Sequence, residues 1–114
     1  VGLKVLDAQG YGYISDVIAA IDYAIAIKDA YNIRIINLSV ASGVFESYNT
    51  DLLALAARRA VEAGIVVIAA AGNLGTNEDG ETQYGGITCP GNAPWVLTVG
   101  ACESEIHAVI ESSR

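Results

Sequence analysis

Few residues in this chain have both the type and the setting for chemistry. The first group is Gly10-Tyr11-Gly12, which follows an apolar stretch and precedes a helical pattern. Glycines placed this way leave backbone amides and carbonyls open to a phosphate or to an extended peptide. A dinucleotide fingerprint would want a third glycine at Ser15 and an acidic residue at the end of the next strand, and the chain has neither. An ordinary turn needs nothing beyond the glycines themselves. The second group is Ala70-Ala71-Gly72-Asn73, at the end of a strongly apolar run. A glycine there turns the chain sharply and presents the Asn73 carboxamide, a neutral rigid donor suited to a developing oxyanion. On spacing alone the same pair also reads as a plain turn.

Other polar groups carry less. His107 is the sole histidine and falls in a polar, irregular tail. Asn77, Glu78, Asp79 and Glu81 are oxygen donors in a loop, but their order matches no EF-hand pattern, so no metal site is assigned. Cys89 and Cys102 form no CxxC and no disulfide framework, and read as small, half-buried thiols. Asp7 and Asp22 read as solvated or helix-flanking charges. Nothing in the chain calls for a cofactor.

These residues need a scaffold, and the hydrophobic pattern supplies one. Residues 1–7 (VGLKVLD) read as a strand and 8–13 as a glycine-containing loop. Ser15 is a good helix N-cap, and Val17, Ile18, Ile21, Ala24 and Ile25 follow the helical period to about Ala30. Residues 33–39 form a second strand. Thr50 caps a second helix whose buried stripe is Leu52, Leu53, Ala56, Ala57, Ala60 and Val61, with Gly64 at its C-terminus. The run 65–71 (IVVIAAA) is a third strand, apolar enough to be covered on both faces. Residues 72–93 form a long loop rich in acidic and amide side chains, and 95–101 (WVLTVGA) a fourth strand. The alternation predicts an α/β fold, a parallel β-sheet flanked by helices. Ligands in such sheets bind where strands end in loops, which is where both glycine groups lie.

Composition sets outer bounds. The 114 residues fit one domain at most, and 53% of them are hydrophobic, with mean hydropathy +0.41. A net charge of −7 argues against nucleic acid and against anionic membrane surfaces as partners. The longest apolar run, 64–71, is strand-sized and not membrane-spanning.

The segments LKVLD, SDVIAAIDYA, INLS, GIVVIAAAGN and PGNAPWVLTVGA occur in an order and spacing that resembles the central part of the subtilisin-like serine peptidases, the subtilases. The resemblance covers nearly all of 1–101. It implies a partial three-layer α/β/α fold over 1–114, with the tail 102–114 irregular. It implies that Asn73 is the oxyanion-hole asparagine. Gly10, Tyr11 and Gly12 would form one edge of the substrate cleft, and Ser39, Val40 and Ala41 the opposite edge. Ala70, Ala71 and Gly72 would line the primary specificity pocket, with Thr88 near its base. Ile14, Val17 and Val40 would form an apolar pocket further from the cut bond. Ala41 stands where the family commonly has glycine, which implies a tighter wall or a shifted peptide edge. Cys89-Pro90 matches a position that can carry a cis proline.

In the family the triad Asp and His lie upstream of the segment matching Val1, and the Ser lies in a GTS-type motif downstream of the segment matching Arg114. No DTG-like, HGTH-like or GTS-like motif occurs in these residues. Ser112 and Ser113 match a serine-serine-arginine stretch well before the nucleophile. The expectation is a fragment of a serine endopeptidase, inactive alone, whose parent cleaves peptide or protein substrates. The family resemblance points to a secreted parent, with a cytoplasmic one left open. Its sheet also places the strand of the catalytic Asp between 1–7 and 33–39, so the chain alone is expected to form a homodimer or swapped oligomer. The rival reading is a non-enzymatic α/β module that binds a peptide or ligand in the same cleft.

Overall fold

The computed structural model describes residues 1–44, 46–72, 79 and 86–100. Among these residues, three helices and three strands follow one another as α1 (Ile14–Ala26), α2 (Lys28–Tyr31), β1 (Ile35–Leu38), α3 (Leu52–Glu62), β2 (Val66–Ala70) and β3 (Leu97–Val99). The strands form one parallel sheet in the order β1-β2-β3. Ile35 sits opposite Val66, and Ile68 opposite Leu97. Among the described residues no helix is long and apolar enough to cross a membrane.

The core is one cluster built from α1, α3 and one face of the sheet. Val17 and Ile21 of α1 meet Leu53, Ala57 and Ala60 of α3 and Val67 and Ala69 of β2. Ala54, Ala56, Ala57 and Ala60 are wholly buried, and their small side chains let α3 lie close against its neighbours. Cover of the sheet is one-sided among the described residues. Val67 and Ala69 are buried, whereas Val66 is 51% exposed and Leu97 58%. The apolar run of β2 therefore exceeds the cover found here.

The elements depart from the sequence reading at several places. Residues 1–7 are not a strand, because among the described residues no strand lies alongside to complete a ladder, and β1 pairs there with β2 alone. α1 starts one residue before Ser15. Its N-cap is Tyr13, whose carbonyl accepts from the amides of Asp16 and Val17, and no side chain caps it. The helix also breaks at Ile27 and resumes as the single turn α2, which ends at Asn32 in the left-handed region, φ 52°.

At α3 the cap is Asp51 and not Thr50. Asp51 Oδ1 accepts from the amides of Leu53 at 2.9 Å and Ala54 at 3.1 Å. The Thr50 hydroxyl turns back to the Ser47 carbonyl and the Glu46 carboxylate. Leu52, expected in the buried stripe, is 68% exposed, and Ala54 takes the buried place. Gly64 terminates α3 as expected, at φ +90°. Lys28 donates to the Ala63 carbonyl at 2.8 Å, adding a cation at that helix end. Arg59 clasps both carboxylate oxygens of Asp22 at 3.0–3.1 Å and joins α3 to α1, so Asp22 is an ion-pair partner and not simply a solvated charge.

Candidate functional site

Parallel strands leave unsatisfied backbone groups and loop attachments at their carboxyl ends, so the clefts of such sheets open there. In this molecule the ends of β1 and β2 are tied together by residues 88–93. Ser42, four residues beyond β1, pairs with Cys89 as an antiparallel bridge, with N···O distances of 2.9 Å in both directions. Beyond β2, the Ala71 carbonyl accepts from the Thr88 amide at 3.0 Å and from the Thr88 hydroxyl at 3.2 Å. The Ala71 amide donates to the Val99 carbonyl at the end of β3.

Two glycines make this junction possible. Gly72 has φ +91°, and a Cβ there would lie 2.6 Å from the Thr88 hydroxyl oxygen and 2.8 Å from its methyl group. A side chain at Gly91 would reach within 2.7 Å of the Ala70 carbonyl. Thr88 is 7% exposed, and its hydroxyl proton is committed to the Ala71 carbonyl. The Cys89–Pro90 bond is cis.

Thus Ala70, Ala71, Gly72 and Thr88 form one contiguous contact, and Ser39, Val40 and Ala41 lead directly into the bridge at Ser42. Ser39 and Ala41 are exposed, and Val40 is half-buried against the core. Asn73 follows Gly72 in the chain but lies outside the described residues, as do Asn77, Glu78, Glu81, Cys102, His107 and the tail from 102 to 114.

The other expected edge, Gly10-Tyr11-Gly12, forms the loop into α1. Tyr11 is 76% exposed. Gly10 has φ +85°, and a Cβ on Gly12 would collide with the Val5 carbonyl oxygen. The preceding residues are not a strand, so the strand-glycine-helix arrangement of a dinucleotide fingerprint is absent here. Val17, Ser39 and Val40 line a common groove of about 910 Å³ that also runs past residues 1–6 and 31–38. Ile14 is 46% exposed at the start of α1.

Sequence reasoning passed over three residues of this region. Asp7 organises the Gly10 loop through its carboxylate. An aspartate three residues before a glycine is the available signal, since Asp accepts from amides just ahead of it. Asp51 caps α3 and also accepts from the Cys89 thiol at 3.3 Å. Ser42 supplies the bridge, and nothing in its local sequence marks it. Burial first, then the hydrogen bond to Asp51 and the charge of that carboxylate, push the Cys89 thiol from an ordinary 9.0 up to about 12. Cys89 is thus held as a thiol at neutral pH, which disfavours the reactive thiolate.

Comparison with known proteins follows the same outline. The model of the Subtilase family matches residues 1–114. A subtilisin-like protease of Arabidopsis thaliana, SBT1.4, is 43% identical over 90 residues, covering 78% of this chain and 10% of the relative. The serine protease AprX of Bacillus subtilis is 34% identical over 108 residues, covering 90% of this chain and 23% of the relative. Among solved structures, Sphericase superposes with TM-score 0.76 at 30% identity, over 96% of this chain and 34% of that one. The chain therefore spans about a tenth to a third of the length of these proteins.

Proposed function

The chain belongs to the subtilase family, and we propose that it forms the substrate-holding, oxyanion-stabilising part of a serine endopeptidase. In this reading an extended peptide lies between Gly10-Tyr11-Gly12 and Ser39-Val40-Ala41. Ala70, Ala71, Gly72 and Thr88 line the pocket for the side chain next to the cut bond, and Ile14, Val17 and Val40 receive a more distant one. The Asn73 carboxamide donates to the carbonyl oxygen as it becomes an oxyanion. The Asp, His and Ser of the triad come from outside these 114 residues, so the 114-residue polypeptide alone does not hydrolyse peptides. Serine attack with histidine as base would be the chemistry of the full protein. Its substrates would be peptides or proteins, and its location outside the cell.

The observation that best supports this reading is the junction at the strand ends. The Ser42–Cys89 bridge and the seating of Gly72 on Thr88 fix two walls at the carboxyl edge of the sheet, and Asn73 follows immediately in the chain. A serine-directed fluorophosphonate tests it. The full-length protein should label and the 114-residue polypeptide should not. A full-length protein that binds peptides without labelling would instead be a binding module.

A further inference from the structure

One side chain closes the loop at the proposed substrate edge. Asp7 Oδ1 accepts from the Gln9 amide at 2.9 Å and the Tyr11 amide at 3.0 Å. The Asp7 backbone completes the ring: its amide donates to the Tyr11 carbonyl at 2.7 Å, and its carbonyl accepts from the Gly10 amide at 3.0 Å. Both backbone groups of Tyr11 are therefore consumed by residue 7. By contrast, the Gly10 carbonyl and both backbone groups of Gly12 take no hydrogen bond among the described residues.

Both positions suit glycine, for different reasons. Gly10 is held at φ +85°, and Gly12 is pressed against the Val5 carbonyl with no room for a side chain. The result is a short stretch of backbone with its own internal bonds closed and its outward acceptor and donor fixed in place. A passing extended peptide can pair with such an edge without first ordering it.

We propose that Asp7 is a positioning residue for substrate binding: its carboxylate holds Gly10 and Gly12 in the conformation that pairs with an extended peptide. This rests on the peptidase reading above. Asp7 touches no substrate; it acts through the loop. Without its carboxylate, the Gln9 and Tyr11 amides lose their acceptor, the glycine loop samples many conformations, and each binding event must order it again. A carboxamide at the same place still offers one oxygen to both amides.

The test uses the full-length protein carrying Asp7→Ala or Asp7→Asn, a tetrapeptide anilide that spans the edge, and a single-residue ester that does not. Asp7→Ala should lower kcat/KM for the anilide about tenfold through KM alone, with the ester unaffected. Asp7→Asn should restore the anilide to within about twofold. Equal loss on both substrates, no loss on the anilide, or an Asp7→Asn variant as weak as Asp7→Ala would each overturn the proposal. Hydrogen exchange at the Tyr11 amide gives a readout independent of activity: it should accelerate in Asp7→Ala and not in Asp7→Asn. A protein inactive on both substrates would refute the peptidase reading. Unchanged Tyr11 exchange in Asp7→Ala would then refute the role of Asp7 separately.

Discussion

Two regions flank β1, and they are finished to different degrees. On one side lie β2, β3 and residues 88–93. There the strands pair in register, the Ser42–Cys89 bridge closes both backbone bonds, and Thr88 and Gly72 are in mutual contact. On the other side lie residues 1–7 and the free edge of β1. They do not pair, and a groove of about 910 Å³ runs between them, lined by apolar residues such as Leu3, Val5, Ile21 and Ile36. Both sides contain apolar segments of strand-like composition. What separates them is whether a partner strand is present, since an unpaired edge leaves backbone donors and acceptors without protein partners. The chemistry proposed here sits on the finished side and its approach, the substrate edge, at the margin of the open one.

If that contrast is right, it can be pressed from either side. The largest effect should be on mass. The 114-residue polypeptide alone should form dimers or larger assemblies, because a second copy can cover the open β1 edge and the apolar groove beside it. Light scattering that shows a clean monomer at high micromolar concentration would mean the open side is tolerated in water.

Next in size is the junction itself. Gly72→Ala in the full-length protein should cost about 2–4 kcal/mol, since it forces a left-handed residue to carry a Cβ against Thr88. Urea unfolding would show this as a lowered midpoint. A cost near zero would mean that Thr88 yields easily and that the junction is not rigid. Val66, half exposed on the uncovered sheet face, probes the opposite case. In the full-length protein Val66→Ser should cost about 1.5–3 kcal/mol, because the rest of the domain would cover that face. A cost below about 0.5 kcal/mol would indicate a face left in water.

At neutral pH the smallest expected effect comes from Cys89, whose pH dependence is confined to alkaline solution. The Cys89 thiol keeps its proton up to about 12 in the folded protein, whereas its ordinary value is 9.0. The unfolded chain therefore binds fewer protons than the folded one between these values, and stability falls as pH rises through that window. Below pH 9 the thiol adds no slope. Cys89→Ala should remove the alkaline slope, and an unchanged slope would place its origin elsewhere.

Much of the finished side was readable in the residues. The run 65–71 reads as a strand, though only one of its faces is covered among the described residues; Gly64 sits where a helix must turn, and the spacing of α3 marks its alanine stripe. The misreadings share a cause. Ser15 and Thr50 are good caps by type, but α1 has Tyr13 at its N-cap with no side-chain cap, and at α3 it is the Asp51 carboxylate that reaches the free amides. Residues 1–7 have strand composition, but a strand exists only with a neighbour, and no sequence window reports that. The roles of Asp7 and Ser42 depend on contacts with the Gly10 loop and with Cys89. Asp7 left only a faint trace three residues ahead of Gly10, and the pairing of Ser42 with Cys89 spans too much chain for local pattern to reveal. Of the candidate site, the residues proposed for the cleft edges and the pocket rest on family resemblance. What resemblance could not supply was the mutual contact of Thr88 with Gly72.

The central claim is that Asn73, which follows Gly72 in the chain, stabilises an oxyanion. Steady-state kinetics of Asn73→Ala in the full-length protein tests it most directly. Removing one such donor from a subtilisin lowers kcat by about 10²–10³, and the same loss is expected here with KM little changed. A kcat equal to that of the unmodified protein would contradict the account and reduce Asn73 to a turn residue.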